Sequence, residues 1–253
     1  MKKTLLLFLL FLISCNDQKD LSNNFNIDIV KDGVIYEANI RQYSESGKFK
    51  DFTKDIYKLK DLGVKIIWLM PIHPISKTNR KGTLGSYYSI SDYKAVNPEF
   101  GNKDDLDELI KEAHKHGMLV ILDWVANHTG WDHKWIENKP DYYTKNENGE
   151  ITDPINPSTG KSWGWTDVAD LNFDNMEMQN EMIEAMEYWV KEHEIDGYRL
   201  DAAHSCPASF WKKSIERLKK MKNVLMLAES DGYHTGGFEL IELFDMSYNW
   251  SGH

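Results

Sequence analysis

The chain has 253 residues, 41% of them hydrophobic and 28% charged, with a formal net charge of −10 at neutral pH. That size holds one large domain or two small ones, and the composition is that of an ordinary globular protein. The acidic balance excludes a nucleic-acid backbone as partner, because such proteins need a basic face.

The first element reads as a leader. "MKKTLLLFLLFLISC" sets two lysines before an apolar run from Leu5 to Ile13 and ends on Ser14 and Cys15. That run is too short to span a bilayer as a helix, which takes about 20 residues, but it suits the apolar region of a secretory signal. The ending "LISC" resembles a bacterial lipobox. Residues 1–15 are therefore expected to be a lipoprotein signal peptide with Cys15 lipidated, and the polar residues 16–32 a tether. The expected location is the cell envelope, with the exported chain held to a membrane through its lipid anchor. Cys206 is the only other cysteine, so acylation of Cys15 leaves no intrachain disulfide, and a thiolate metal site is excluded.

The body, residues 33–253, alternates strands and helices. "GVIYEANI" (33–40) reads as a strand, followed by a helix around Phe52 to Leu62, and "GVKIIWLM" (63–70) is a second apolar run stopped by Pro71. In "NKDDLDELIKEAHKHG" (102–117), Leu106, Leu109, Ile110 and Ala113 recur at helical spacing, with acids early, basic residues late and Gly117 after the end. "MLVILDW" (118–124) is the third strand. The turn-rich stretch after it is too long for a loop, so residues from about 130 to 172 are expected to be an inserted subdomain. A helix over 178–197 follows, with Met178, Met182, Ala185, Met186 and Trp189 on its core face. The fourth strand opens "DGYRLDAAHS" (196–205), a helix around Phe210 to Met221 follows, "NVLMLAES" (223–230) is the fifth strand, and "IELFDMSYN" (241–249) offers a sixth.

Solid apolar strands alternating with helices signal a parallel sheet covered on both faces. An open doubly wound sheet and a (β/α) barrel compete for that pattern. No glycine-rich phosphate loop follows the first strand. Instead Asp123, Asp201, Glu229 and Asp245 are read at the C-terminal ends of successive strands, where a barrel builds its site. Arg199 and Asp201 stand two apart and so share one face of the fourth strand. By themselves they are open to two readings, a structural ion pair shared with Asp123 or a reactive pair.

"DWVANHT" (123–129), "GYRLDAAH" (197–204) and "LAES" (227–230) occur in that order, each at a strand end. Together they resemble the signature regions of glycoside hydrolase family 13, the α-amylase family. "IIWLMPIHP" (66–74) and "GSYYSISDYKAVNPEFG" (85–101) resemble its second strand and the segment leading to its next helix. The resemblance implies an α/β fold of the (β/α)8 TIM-barrel type, here incomplete at about six of eight units. It implies retaining hydrolysis of α-glucosidic bonds in starch-like α-glucans or malto-oligosaccharides, with Asp201 as nucleophile and Glu229 as general acid and base. Arg199 would favour the ionised form of Asp201, while Glu229, with Leu225 and Leu227 on its face and no basic sequence neighbour, would keep its proton.

By the same likeness Tyr88 stacks on the sugar at the cleavage point, although Tyr87 stands beside it, and His128 bonds that sugar's hydroxyls. His204 lies on the leaving-group side, where many family amylases have lysine, and Ser205 stands where many have histidine. Asn127 and Asp170 match ligands of a structural calcium. Trp163 and Trp165 are expected to cap the inserted subdomain, with a sugar platform as the alternative. In the family a third carboxylate follows the seventh strand. No counterpart occurs before His253, so the chain is expected to be the N-terminal part of a longer hydrolase, with an inactive or glucan-binding envelope protein and an exo-acting glucosidase or transglycosylase as alternatives.

Overall fold

A computed structural model describes residues 28–156, 159–233 and 237–252. Cys15, the signal peptide and most of the tether lie outside the described residues. The remaining part of the expected tether, Ile29–Asp32, forms one helical turn, and Ile29 packs against an inner apolar cluster.

Six strands form one sheet: β1 (Val34–Ala38), β2 (Val64–Leu69), β3 (Leu119–Trp124), β4 (Gly197–Leu200), β5 (Leu225–Ala228) and β6 (Met246–Ser247). They pair in chain order and every pairing is parallel. A doubly wound sheet reverses its order at a switch point, whereas a barrel adds each strand beside the last. The sheet is therefore the curved wall of a partial TIM barrel, six units of the expected eight. The open-sheet alternative falls with that order.

Helices α1 (Phe49–Asp61), α2 (Lys103–Lys115), α3 (Met176–Glu192), α4 (Ala208–Lys219) and the short α5 (Gly237–Ile241) connect the strands. α1 buries Phe52, Ile56 and Leu59, and α2 buries the four residues whose spacing marked its apolar face. Asn102 and Asp105 form a capping box at the start of α2, each side chain accepting from the other's backbone N–H. The methionines and Trp189 of α3 are buried as core. Ile66, Trp68, Leu119, Ile121, Leu225 and Leu227 form a second cluster on the opposite, inner face of the sheet. β4 and β5 approach so closely at their start that a Cβ on Gly197 would lie 1.9 Å from the Leu225 carbonyl oxygen.

Between β3 and α3 the chain makes an excursion. His128–Gly130 pairs antiparallel with Val168–Asp170, and Ile155–Asn156 pairs with Lys161–Ser162. The segment lies beside the C-terminal ends of the strands and walls one side of the site described below.

The sixth strand differs from its expectation. It has only two residues, and α5 ends at Ile241, inside the stretch expected to be strand. Asp245 consequently sits before β6, where its Oδ2 accepts from the Met226 backbone N–H at 2.9 Å. It tethers the start of the strand and does not face the mouth. Among the described residues no helix is long and apolar enough to cross a membrane.

Candidate active site

Strand register assembles the site. Asp123 stands opposite Arg199, and Arg199 opposite Leu227. Two residues further on, Asp201 and Glu229 extend the same ladder: the Asp201 N–H donates to the Trp124 carbonyl at 2.9 Å and the Glu229 N–H to that of Leu200 at 3.0 Å. The period of two then turns Asp123, Arg199, Asp201 and Glu229 to the inner face.

Arg199 is the hub. Its Nη1 lies 2.9 Å from Asp123 and 2.8 Å from Asp201, and its Nη2 lies 2.8 Å from Glu229. Its Nε donates to the Tyr248 hydroxyl at 3.3 Å. Asp123, fully buried, also accepts from Trp68 Nε1 at 3.1 Å and the Tyr88 hydroxyl at 3.3 Å. Both readings of the Arg199–Asp201 pair thus meet in one cluster, which includes the ion pair to Asp123.

One cation faces three carboxyls, and removal from water dominates their titration. Burial pushes Asp201 and Glu229 above the usual carboxylate range against the pull of Arg199, and pushes Asp123 up to about 8. The raised Glu229 has the expected direction, whereas Asp201 is raised although Arg199 was expected to favour its ionised form, and the expected isolation of Glu229 from cations fails. Glu229 has no basic sequence neighbour, yet Arg199 touches it in space as closely as it touches Asp201. Glu229 is raised by burial and by the charge of Asp201, not by want of a cation.

The backbone takes part as well. The Ala202 N–H, in the peptide it shares with Asp201, donates to Glu229 Oε2 at 2.8 Å, and Ala202 itself adopts a left-handed conformation, φ 41°. A non-glycine residue pays strain for that geometry, and such strain gathers at functional sites.

Tyr88, His128, Asp201, His204 and Glu229 border one cavity of about 480 Å³. Of the two neighbouring tyrosines Tyr88 borders this cavity, while Tyr87 donates to Asn39 at 3.0 Å and lies beneath Arg41. Burial pushes His128 down to about 4, so its ring is neutral at ordinary pH. Asn127 Nδ2 can only donate, so the 3.3 Å contact makes His128 Nδ1 an acceptor.

Trp163 and Trp165 stack on each other with ring centroids 5.9 Å apart and are 50% and 38% exposed. Exposure on that scale runs against a capping role. Gly164 between them, at φ +78°, supplies the turn, and Lys81 fixes it by donating to the Gly164 carbonyl at 2.6 Å. The pair borders both the first cavity and an adjoining one of about 360 Å³ that holds Asn127 and Asp170.

Calcium takes six to eight oxygen ligands. Asn127 and Asp170 bring one amide and one carboxyl, and burial has pushed that carboxyl up to about 6. Among the described residues no group of three His, Cys, Asp or Glu side chains is placed to hold a metal ion. The side chains present fall short of a calcium cage.

Sequence reasoning thus located seven of the candidate residues in or beside these cavities, and Arg199 behind them; Cys15 is not described. It missed Trp68, Tyr248 and the Ala202 backbone. Trp68 carried a usable signal, because an indole N–H on the inner face of a buried strand needs an acceptor. Tyr248 carried none, since its partner becomes visible only when β6 pairs with β5.

Comparison with known proteins agrees with this arrangement. The family model described as alpha amylase, catalytic domain, matches residues 21–226. Alpha-amylase 3 of Dictyoglomus thermophilum is 30% identical over 228 residues, covering 79% of this chain and 43% of that protein. An oligo-1,6-glucosidase of Bacillus cereus is 31% identical over 200 residues, covering 68% and 35%. Among solved structures, an α-amylase from Lactobacillus plantarum superposes with a TM-score of 0.77 at 36% identity, covering 86% of this chain and 53% of that one. A maltogenic α-amylase from Thermotoga neapolitana gives 0.78 at 35% identity, covering 88% and 50%. The chain spans about half the length of these structures and less than half of the two curated relatives. Over that span it belongs to glycoside hydrolase family 13 and carries the α-amylase type of catalytic domain.

Proposed function

We propose that the chain carries the double-displacement machinery of a retaining hydrolase acting on α-glucans or malto-oligosaccharides. Asp201 attacks the anomeric carbon as Glu229 gives its proton to the departing oxygen, leaving a glycosyl ester on Asp201. Glu229 then takes a proton from water, whose oxygen displaces Asp201 and restores both groups. The observation that carries this reading is one guanidinium lying 2.8 Å from both carboxyls. The Asp201 and Glu229 side chains also lie within hydrogen-bond reach of each other, and closeness of that order favours retention, with carboxyls about 5–5.5 Å apart, over inversion at about 6.5–9.5 Å.

Substrate contacts follow from chemistry. The Tyr88 ring offers a stacking face, neutral His128 a hydrogen bond to sugar hydroxyls, and exposed His204 a contact on the leaving-group side. Trp163 and Trp165 form a platform for further rings. The test is turnover of maltoheptaose by the chain, with anomeric configuration read by proton NMR. An α product, lost in Asp201→Asn, supports the reading; inversion, or unchanged turnover in Asp201→Asn, rejects it. His204 and Ser205 depart from the lysine and histidine of many family amylases, which favours short-chain or exo action as the second reading. Product chromatography separates these, since internal cuts give mixed oligomers from the start.

The envelope location is part of the proposal. Palmitate labelling and membrane recovery should both disappear in Cys15→Ser; a label that persists rejects acylation at that residue. With Asn127 and Asp170 as its only side-chain donors, calcium is not expected to support the fold: EDTA should leave Tm unchanged, and a Tm that EDTA lowers and calcium restores would reverse that reading.

A further inference from the structure

We propose that Trp68 and Tyr248 form an aromatic clamp on Arg199, and that the Tyr248 hydroxyl divides this guanidinium between Asp201 and Glu229. Both are positioning residues, acting through Arg199. The inference deepens the hydrolase reading and, in its functional part, rests on it.

The guanidinium is planar and delocalised, with donors fixed in its plane and two apolar faces. Its Cζ lies 4.9 Å from the Trp68 ring centroid and 5.6 Å from that of Tyr248. Trp68 is fixed by donating Nε1 to Asp123 at 3.1 Å. Tyr248 arrives from β6, its backbone N–H donating to the Ala228 carbonyl at 3.2 Å, and its ring meets Trp250 edge-on at 5.4 Å.

The donors of the guanidinium are also oriented within its plane. Nη1 serves Asp123 and Asp201, Nη2 serves Glu229, and Nε serves the Tyr248 oxygen. Because the plane is rigid, the Nε contact decides where Nη2 points. Without an acceptor on that side, only the Nη2–Glu229 contact opposes rotation toward the two aspartates, and Nη2 is held less firmly at Glu229. The ionisable groups around the cluster are Asp123 from β3, Asp201 after β4, Glu229 after β5, Tyr248 from β6, and Tyr88 and His204 from the loops. Arg199 is the cation that touches all three carboxyls. Its withdrawal would leave Glu229 beside Asp201 with less compensation, so Glu229 would hold its proton to higher pH.

The experiment is the pH dependence of kcat/KM on maltoheptaose for the chain and for Tyr248→Phe, which keeps the ring and drops the hydroxyl. The basic limb should move up by about half a unit to one unit. Tyr248→Leu should move it at least as far. A fall in activity with the limb in place would mean that Tyr248 is merely packing and would overturn the proposal. A second readout needs no turnover. The Arg199 Nε–H resonance, identified by its absence in Arg199→Lys, should exchange slowly in the parent and rapidly in Tyr248→Phe. Equal exchange in both overturns the positioning role of the Tyr248 hydroxyl, whereas an inactive parent with the expected exchange difference rejects the hydrolase reading and keeps that role.

Discussion

Strand β4 has a buried carboxyl at each end, and their surroundings are opposite. At the base, Asp196 meets His114 at 2.7 Å and Lys222 at 3.0 Å, and accepts the Val120 backbone N–H at 2.8 Å. Burial pushes that carboxyl up, but these donors outweigh it and hold it below the usual range. At the mouth, Asp201 shares one arginine with two other acids and is raised. Burial is common to both, so it does not separate them; the ratio of cations to acids does. An excess of donors makes a strut at the base of the barrel, and an excess of acid makes a reactive site at its mouth.

The largest expected effect tests the mouth. Asp201→Asn should reduce kcat by roughly 10⁴-fold or more while Tm holds or rises, because an acid-rich cluster has lost an acid. A fall of many degrees would place Asp201 among the struts and break the comparison. Asp196→Asn should do the reverse, costing about 3 kcal/mol of stability and on the order of 10 °C in Tm, with kcat per folded molecule unchanged. Calorimetry alongside active-site titration checks both.

Acidity sharpens the contrast next. Burial pushes His73 and His128 from 6.5 down to about 4 and His133 down to about 3. A depressed folded value means that stability is full above the unfolded value and is lost as pH falls through the folded one. The histidines alone should make Tm drop between pH 7 and pH 4, and Asp196, held below its ordinary 3.8, adds its loss only below that window. The raised mouth carboxyls work with the opposite sign, because the folded state takes up their protons first. Asp201→Asn should therefore steepen the acid-side loss, and a shallower slope would contradict the assignment. The smallest effect belongs to Tyr88→Phe, which removes the 3.3 Å bond to Asp123 but keeps the ring. About 1 kcal/mol, or roughly fivefold in kcat/KM, is expected; a loss as large as that of Tyr88→Ala would assign the ring no separate role.

Much of this was legible in the order of residues. Apolar runs ending in Asp123, Asp201 and Glu229 announced strands whose ends meet, and the spacing in α2 and α3 marked their buried faces. What stayed hidden depended on register between distant segments. Glu229 looked unaccompanied until β4 and β5 aligned it with Arg199, and Asp245 looked like a mouth residue until β6 proved to begin after it. The tryptophans of "WGW" read as a cap because sequence gives composition but not exposure, and their stacking required the turn at Gly164.

The left-handed Ala202 couples the two partners of the reaction mechanically. Its carbonyl-side neighbours run into the loop carrying His204, while its N–H belongs to the peptide joining it to Asp201 and grips Glu229 Oε2. The Asp201 main chain and the Glu229 carboxyl are therefore one peptide apart, and in the proposed mechanism any main-chain movement at Asp201 would reach Glu229 through that hydrogen bond.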